Sequence, residues 1–452
     1  MSDLSIGRES TGAAVRSASD LYRAVWRWHF YAGLMVLPFM ITLAISGALY
    51  LFRDEIDAAV YSDLKRVEVQ EGVAKVAPSA MVAAALAAHP GTAMKFTEPV
   101  SSSGSAEITV DTGSEGKLAV YVDPHTGKVL GALPDRGTIM WTIRYLHSLR
   151  YFGSFARALT EIAGGWSILL VGTGIYLWWP RKQTGGVVSV RGTPKRRVFW
   201  RDTHAVTGIF VVFLAITGMP WSGVWGDKVN EWANGSNFGY PAGIRTAVPM
   251  SDEHLDHIAK TSWSLEQAQI PQSTTHQHGA ALIGLDEAVV TFDRLGLHRG
   301  YAVNIPNAPA GVYTGSVYPD DVSQQRVVHL DQYSGQPLID MSYADYGPLG
   351  KWLEWGINVH MGQQYGLANQ LVLLAACIAI VILAVSAGVM WWKRRPAGSL
   401  GVPAMPSDRR ALRGLLAILV IGGIVFPLVG LSLVAMLALD WLYLKTARPR
   451  SI

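Results

Sequence analysis

His147-Ser148-Leu149-Arg150-Tyr151-Phe152-Gly153 has a counterpart in His360-Met361-Gly362-Gln363-Gln364-Tyr365-Gly366. In each stretch a glycine stands six residues after a histidine, and an apolar run follows. Each run ends on a tryptophan pair, Trp178-Trp179 and Trp391-Trp392, whose first member is 31 residues after its histidine. Basic residues close both copies, Arg181-Lys182 and Lys393-Arg394-Arg395. Upstream, His29 and His204 are each followed four residues later by a glycine, Gly33 and Gly208. Each then enters an apolar stretch with a small residue before glycine, Ser46-Gly47 and Thr217-Gly218. The chain is an internal duplication, and each half carries two histidines beside apolar segments.

Of the 452 residues, 50% are hydrophobic and only 16% are charged. Mean hydropathy is +0.23. Apolar runs near or above about 18 residues recur, which argues for membrane helices rather than one soluble core. The 16 tryptophans suit anchoring at headgroup level. The lone cysteine, Cys377, lies inside an apolar run, so there is no disulfide framework. No C-x-x-C-H stretch exists, so any haem would be held without covalent attachment. The net charge of +4 comes from basic residues beside the apolar runs, which is no nucleic-acid signature. No small-residue cleavage site follows the first apolar run; Arg53-Asp54-Glu55 does, so that run reads as an uncleaved first span.

Loop charge orients the spans. Residues 180–202 hold seven Lys/Arg against one acid, Asp202, and residues 393–413 hold six against Asp408. The long connections 53–140 and 225–345 are acid-rich instead. The positive-inside rule places the basic loops in the cytoplasm and the long segments outside, in the periplasm of a Gram-negative cell. The expected order is a cytoplasmic N-terminus (1–29), a first span (30–52) and a first outer module (53–140). An outer interfacial stretch with the second span (141–182), a basic loop (183–202) and a third span (203–224) follow. Then come a second outer module (225–345), a second interfacial stretch with the fourth span (346–395) and a last apolar tract (411–444). As one helix that tract would be about 50 Å long, against a bilayer core of about 30 Å. Pro427 and Gly430 interrupt it, which favours a hairpin and about six spans over a single kinked one.

Both outer segments read as a helix followed by short strands. In the first, the helix lies near 80–88 and strands near 94–98, 106–110 and 117–123. In the second, Leu285–Leu295 is helical in pattern, and Tyr301–Ile305, Gly311–Tyr318 and Arg326–Asp331 alternate as strands. Both end on D-x-x-[TS]-G, at Asp123–Gly127 and Asp331–Gly335. That is a hairpin turn in which Asp bonds the turn backbone and Gly takes positive φ. The fold class expected is an α-helical integral membrane protein with a parallel internal repeat and two extracytoplasmic α+β modules.

This plan resembles the PepSY-associated transmembrane proteins, the family of iron-regulated inner-membrane proteins and ferric-siderophore reductases. The resemblance covers roughly residues 20–445 and rests on named motifs. These are the helix starts Trp26 to His29 and Trp200 to His204, the two D-x-x-[TS]-G turns, and the W-W-[PK]-R ends. It implies two b-type haems between membrane helices, outward electron flow, and a ferric siderophore or other ferric chelate as acceptor. It also implies a bacterial inner-membrane location. The extra stretch at about 226–280, with His254, His257, His276 and His278, departs from the pattern.

The histidines give the residue-level reason. Two neutral imidazoles close both axial positions of a haem iron, which suits electron transfer. Span direction puts His29 and His204 near the inner face and His147 and His360 near the outer face. A parallel repeat relates the halves about an axis normal to the membrane. His29 therefore pairs with His204, and His147 with His360. Thirty-one residues of unbroken helix would span about 46 Å, so the outer histidines lie beyond the hydrocarbon core, or the helices bend after them at Gly153 and Gly366. The plainer reading of any one of these histidines is a hydrogen-bonded interfacial residue; matched duplication weighs against it for the set. Arg144 and Arg150 flank His147 and suit haem propionates or lipid phosphate. The histidines at 254–278 read as a solvated polar loop before a metal site. Glu161 reads as a partner of Arg157.

No dinucleotide fingerprint and no P-loop occur, so the electron donor is a separate cytoplasmic reductase or quinol. Two other readings stand beside the oxidoreductase. One is a non-enzymatic peptide-binding or sensing protein. The other is a transporter, disfavoured because no broken, charge-rich helix pairs are evident.

Overall fold

The computed structural model describes residues 6–69, 72, 74–113, 116–180 and 186–215, single positions between 225 and 239, then 250–254, 269–273, 281–403 and 409–446. In chain order its elements begin with helices α1 (Ile6–Tyr50), α2 (Arg53–Val60), α3 (Ser62–Lys65) and α4 (Pro78–Ala88). Strands β1 (Thr92–Thr97), β2 (Ala106–Asp111), β3 (Lys117–Val122) and β4 (Val129–Pro134) follow. Then come α5 (Ile139–His147), α6 (Gly153–Trp178) and α7 (Arg197–Ala215). Strands β5 (Met250–His254) and β6 (Gln269–Pro271) pair as a ribbon, with His254 on β5. His257, His276 and His278 lie outside the described residues. Next are α8 (Gly284–Arg294), β7 (Ala302–Asn304), β8 (Val312–Val317), β9 (Arg326–Asp331) and β10 (Pro337–Ser342). The chain ends in α9 (Pro348–His360), α10 (Gly366–Arg394), α11 (Arg409–Val425) and α12 (Pro427–Thr446). It divides into a helical unit (1–49, 144–227, 371–452) and a sheet unit (50–143, 228–370).

In the helical unit, the stretches Asp20–Tyr50, Phe155–Trp178 and Gly366–Arg394 are long and apolar enough to cross a membrane. The second half of the expected span 203–224 lies outside the described residues. Helix α1 begins well before the expected span: His29 sits 23 residues into it, not at a helix start. Large apolar side chains such as Leu49, Leu371, Ile378 and Leu431 stay exposed along the helices, which suits contact with lipid. The last apolar tract breaks at Phe426, before Pro427, whose ring cannot continue a helix. A Cβ on Gly423 would come within 2.7 Å of Gly430 Cα. Residues seven apart in one straight helix would be roughly 10 Å apart, so the chain turns back on itself. Trp166 of α6 donates its indole N–H to Ser432 of α12 at 2.7 Å, inside a core of Trp28, Val36, Ala163, Leu419 and Val429.

In the sheet unit, helix–strand order repeats as expected, but the two copies do not form separate sheets. Eight of the ten described strands make one antiparallel sheet in the order β10-β9-β8-β7-β1-β2-β3-β4. The join is the first strand of each copy: Lys95, Phe96 and Thr97 of β1 oppose Asn304, Val303 and Ala302 of β7. A strand with an open edge is a ready template for pairing, and here each copy closes the other's edge. Helices α4 and α8 cover one face over a shared core of Met81, Phe96, Ile108, Leu285, Phe292 and Leu330. They are tied at their starts, where Ser79 donates its backbone N–H and hydroxyl to the Asp286 carboxylate at 2.7 and 2.5 Å.

The two D-x-x-[TS]-G turns are built alike. Asp123 Oδ1 accepts the His125 N–H at 2.8 Å, and Asp331 Oδ1 accepts the Tyr333 and Ser334 N–H groups at 2.9 Å. The glycine that closes each turn has positive φ, 73° at Gly127 and 69° at Gly335.

Candidate functional site

The sharpest cluster lies in the helical unit, where α1 and α7 bring His29 and His204 together. Their ring centroids are 6.3 Å apart and the ring planes are perpendicular. Each imidazole is gripped at Nδ1 by a neighbouring helix. His29 Nδ1 lies 2.9 Å from Thr173 Oγ1 on α6. Thr173 Oγ1 also lies 2.8 Å from the Leu169 carbonyl; with its proton on that carbonyl, the oxygen accepts from His29 Nδ1–H. His204 Nδ1 lies 3.1 Å from the Leu383 carbonyl on α10. A carbonyl only accepts, so His204 is protonated at Nδ1 as well. In both rings the Nε2 lone pair remains for a metal. Gly174 packs beside the His29 ring, where an added Cβ would make ordinary contact at 3.4 Å from Cε1, and Gly33 faces open space.

The surroundings of this pair draw on both halves of the chain. Arg394, after the second tryptophan pair, lies over the rings of Trp26 and Phe30 at 4.7 and 5.0 Å. Arg27 donates to the Pro403 carbonyl and to Tyr31 Oη at 3.2 Å. Beside His204, Asp202 is fully buried and accepts from Arg191 Nε at 2.8 Å and Arg201 Nη2 at 2.6 Å. Those two guanidinium groups outweigh the desolvation of the carboxyl, whose pKa falls below its usual value.

The PepSY-associated TM region, as a family, matches residues 26–394, which takes in both halves and all the paired motifs. This chain belongs to the PepSY-associated TM family. No curated protein matches it.

The other two histidines of this PepSY-associated protein share a backbone setting. His147 is the last residue of α5, and His360 the last of α9. A break follows each, and a glycine of positive φ, Gly153 at 88° and Gly366 at 56°, opens the next helix. The expected bend after each histidine is therefore a full stop and restart. His147 belongs to the helical unit and His360 to the sheet unit. His147 Nδ1 lies 3.0 Å from Ser46 Oγ, which donates to the Thr42 carbonyl at 2.7 Å. With its proton on that carbonyl, Ser46 can accept from His147 Nδ1–H, the arrangement that Thr173 offers His29. Gly47 supplies the room: a Cβ there would lie 3.2 Å from His147 Cε1. The loop after His360 is held by Arg53, which donates to the Met361 carbonyl at 3.1 Å, and by Asn369, which donates to the Val359 carbonyl at 3.0 Å. His360 is exposed by accessible area, yet the protein around it disfavours its charged form and lowers its pKa.

Arg144 lies one turn before His147 on α5, and Arg150 is exposed in the turn between α5 and α6. Among the described residues no three His, Cys, Asp or Glu side chains cluster as a metal site. Sequence reading missed the hydroxyls that hold the rings. In the sequence Ser46 reads only as a small residue before glycine. Thr173 and Ser386 each stand five residues before a tryptophan pair, a signal that was available.

Proposed function

We propose that this chain is a transmembrane oxidoreductase that takes electrons from a cytoplasmic reductase or quinol and delivers them to a ferric siderophore or other ferric chelate outside. It would hold two b-type haems, one between His29 and His204 and one between His147 and His360. The single observation that carries the reading is the His29–His204 pair, 6.3 Å between ring centroids. Two imidazoles bound to one metal ion through nitrogens at roughly 2.0 Å need about that separation. A ligand binding through Nε2 must be a neutral imidazole with its proton on Nδ1, the tautomer that the Leu383 carbonyl sets at His204 and that Thr173 Oγ1 can hold at His29.

Held by two histidines each, such haems would exchange single electrons without binding a further ligand. The residues of the chain do the rest. Thr173 and the Leu383 carbonyl orient the inner rings, and Ser46 orients His147. Arg144 and Arg150 would meet the propionates of the outer group. A ferric chelate that gains one electron becomes ferrous, and hard oxygen donors release the less charged ion. The proposed architecture has about six spans in a parallel repeat, basic loops in the cytoplasm, and the sheet unit in the periplasm as a pair of PepSY modules that receive the acceptor. The exposed basic residues Lys195, Arg196, Arg197, Arg201 and Lys393 support that orientation.

A visible spectrum of the purified full chain tests this reading. Sharp reduced α bands, with haem near two per chain, are expected. A haem ratio near zero after haem-replete expression would leave the PepSY modules as binding or sensing devices and overturn the redox assignment.

A further inference from the structure

The duplication extends to side chains with no assigned role. Thr173 stands 26 residues after His147, and Ser386 stands 26 residues after His360. Both lie on the helix that opens at the matching glycine, α6 or α10. Each reaches the inner histidine of its own half: Thr173 Oγ1 is 2.9 Å from His29 Nδ1, and Ser386 Oγ is 3.4 Å from His204 Nδ1. Each hydroxyl is also bonded back to its own helix, Thr173 to the Leu169 carbonyl at 2.8 Å and Ser386 to the Leu383 carbonyl at 2.8 Å. With its proton on that carbonyl, each hydroxyl oxygen can only accept.

Resting on the haem reading above, we infer that Thr173 and Ser386 are positioning residues that fix the orientation and Nδ1–H tautomer of His29 and His204. An acceptor at Nδ1–H raises the basicity of the coordinating Nε2, and loss of such partners typically weakens metal binding by roughly 10–100-fold. The two sites are not equal. Thr173 is the acceptor nearest His29 Nδ1, whereas His204 also donates to the Leu383 carbonyl at 3.1 Å. Ser386 is fully buried and steadies that carbonyl, so its part is the smaller.

The test uses the full chain in detergent, labelled with 15N-histidine, as wild type, Thr173→Val, Thr173→Ser and Ser386→Ala. In the haem-free protein His29 and His204, assigned by difference with His29→Gln and His204→Gln, are expected to show a protonated Nδ1 and a bare Nε2. Thr173→Val should scramble the His29 tautomer while Thr173→Ser keeps it. On haem titration, Thr173→Val should weaken one of two haems by roughly 10–100-fold, Thr173→Ser should not, and Ser386→Ala should act by less. A His29 ring protonated at Nε2, or a Thr173→Val chain with wild-type tautomer and haem affinity, overturns the inference. If wild type binds no haem, the functional reading fails, while the tautomer measurement still decides this one. If wild type binds two haems and Thr173→Val changes nothing, only this inference falls.

Discussion

Phe96 on β1 stands opposite Val303 on β7, and neither has any exposed surface. Through that pair the first strands of the two copies become neighbours, and the helices above them share one core. Truncating Phe96 therefore opens a cavity under both copies. Phe96→Ala should cost ~3–5 kcal/mol, and hydrogen exchange should speed up in β2 and β8 together. Exchange confined to residues 92–134 would mean that the copies fold independently.

Gly315 on β8 faces the Phe292 ring of α8, and an added Cβ would lie 2.6 Å from it. Helix and strand have no slack to absorb a methyl group there. Gly315→Ala should destabilise the sheet unit by about 1–3 kcal/mol, read as a lower melting temperature. Phe292→Leu in the same chain should recover part of the loss. An unchanged melting temperature in Gly315→Ala would refute the tight packing.

Much of this was legible in the chain because the signals were periodic or paired. The matched His-to-glycine spacing located both helix breaks, and the D-x-x-[TS]-G turns located the β3–β4 and β9–β10 hairpins. What could not be read was long-range pairing. Nothing local in Lys95-Phe96-Thr97 says that its partner is Asn304-Val303-Ala302, some two hundred residues away. The helical stretch before His29 was missed because residues 6–19 are polar and carry no apolar stripe, while helix continues through them from Ile6. Thr173 and Ser386 were hidden because a hydroxyl in an apolar run reads as ordinary back-bonding to its own helix.

His329 on β9 sits on the sheet face away from α4 and α8, 1% exposed, with Thr314 Oγ1 2.9 Å from its Nδ1. Burial without a counter-charge lowers its pKa to about 3 from the ordinary 6.5. The folded state thus refuses a proton that the unfolded chain accepts. Stability should be constant with respect to this group above about pH 6.5 and fall as pH drops towards 3, by about 2 kcal/mol at pH 5. Melting curves of the full chain at pH 7 and pH 5 measure this, and His329→Gln should flatten the difference. An equal pH slope in wild type and His329→Gln would show that other groups set it.

The proposed orientation rests on loop charge. A reporter fused after Gly127 or Gly335 should read as periplasmic, and one fused near Thr193 as cytoplasmic. Gly127 and Gly335 close tight surface turns of the sheet unit, and Thr193 is exposed in the loop before α7, so fusion at these points spares the buried strands. A cytoplasmic signal at Gly335 would invert the proposed direction of electron flow.

His29→Ala and His204→Ala should each remove the same inner haem, because either loss leaves one iron short of an axial ligand. The 6.3 Å ring separation is the ground for pairing them across the two halves rather than within one. His147→Ala and His360→Ala should remove the other haem, on the ground that both histidines end a short helix before a positive-φ glycine. In oriented vesicles with a cytoplasmic donor, stopped-flow absorbance should then separate the pairs. Without the inner group, the outer haem remains present but is reduced slowly. Without the outer group, the inner haem should stay reducible but pass no electrons to an external ferric chelate. If His29→Ala and His147→Ala lose the same haem, the pairing across halves is wrong, and each half binds its own cofactor.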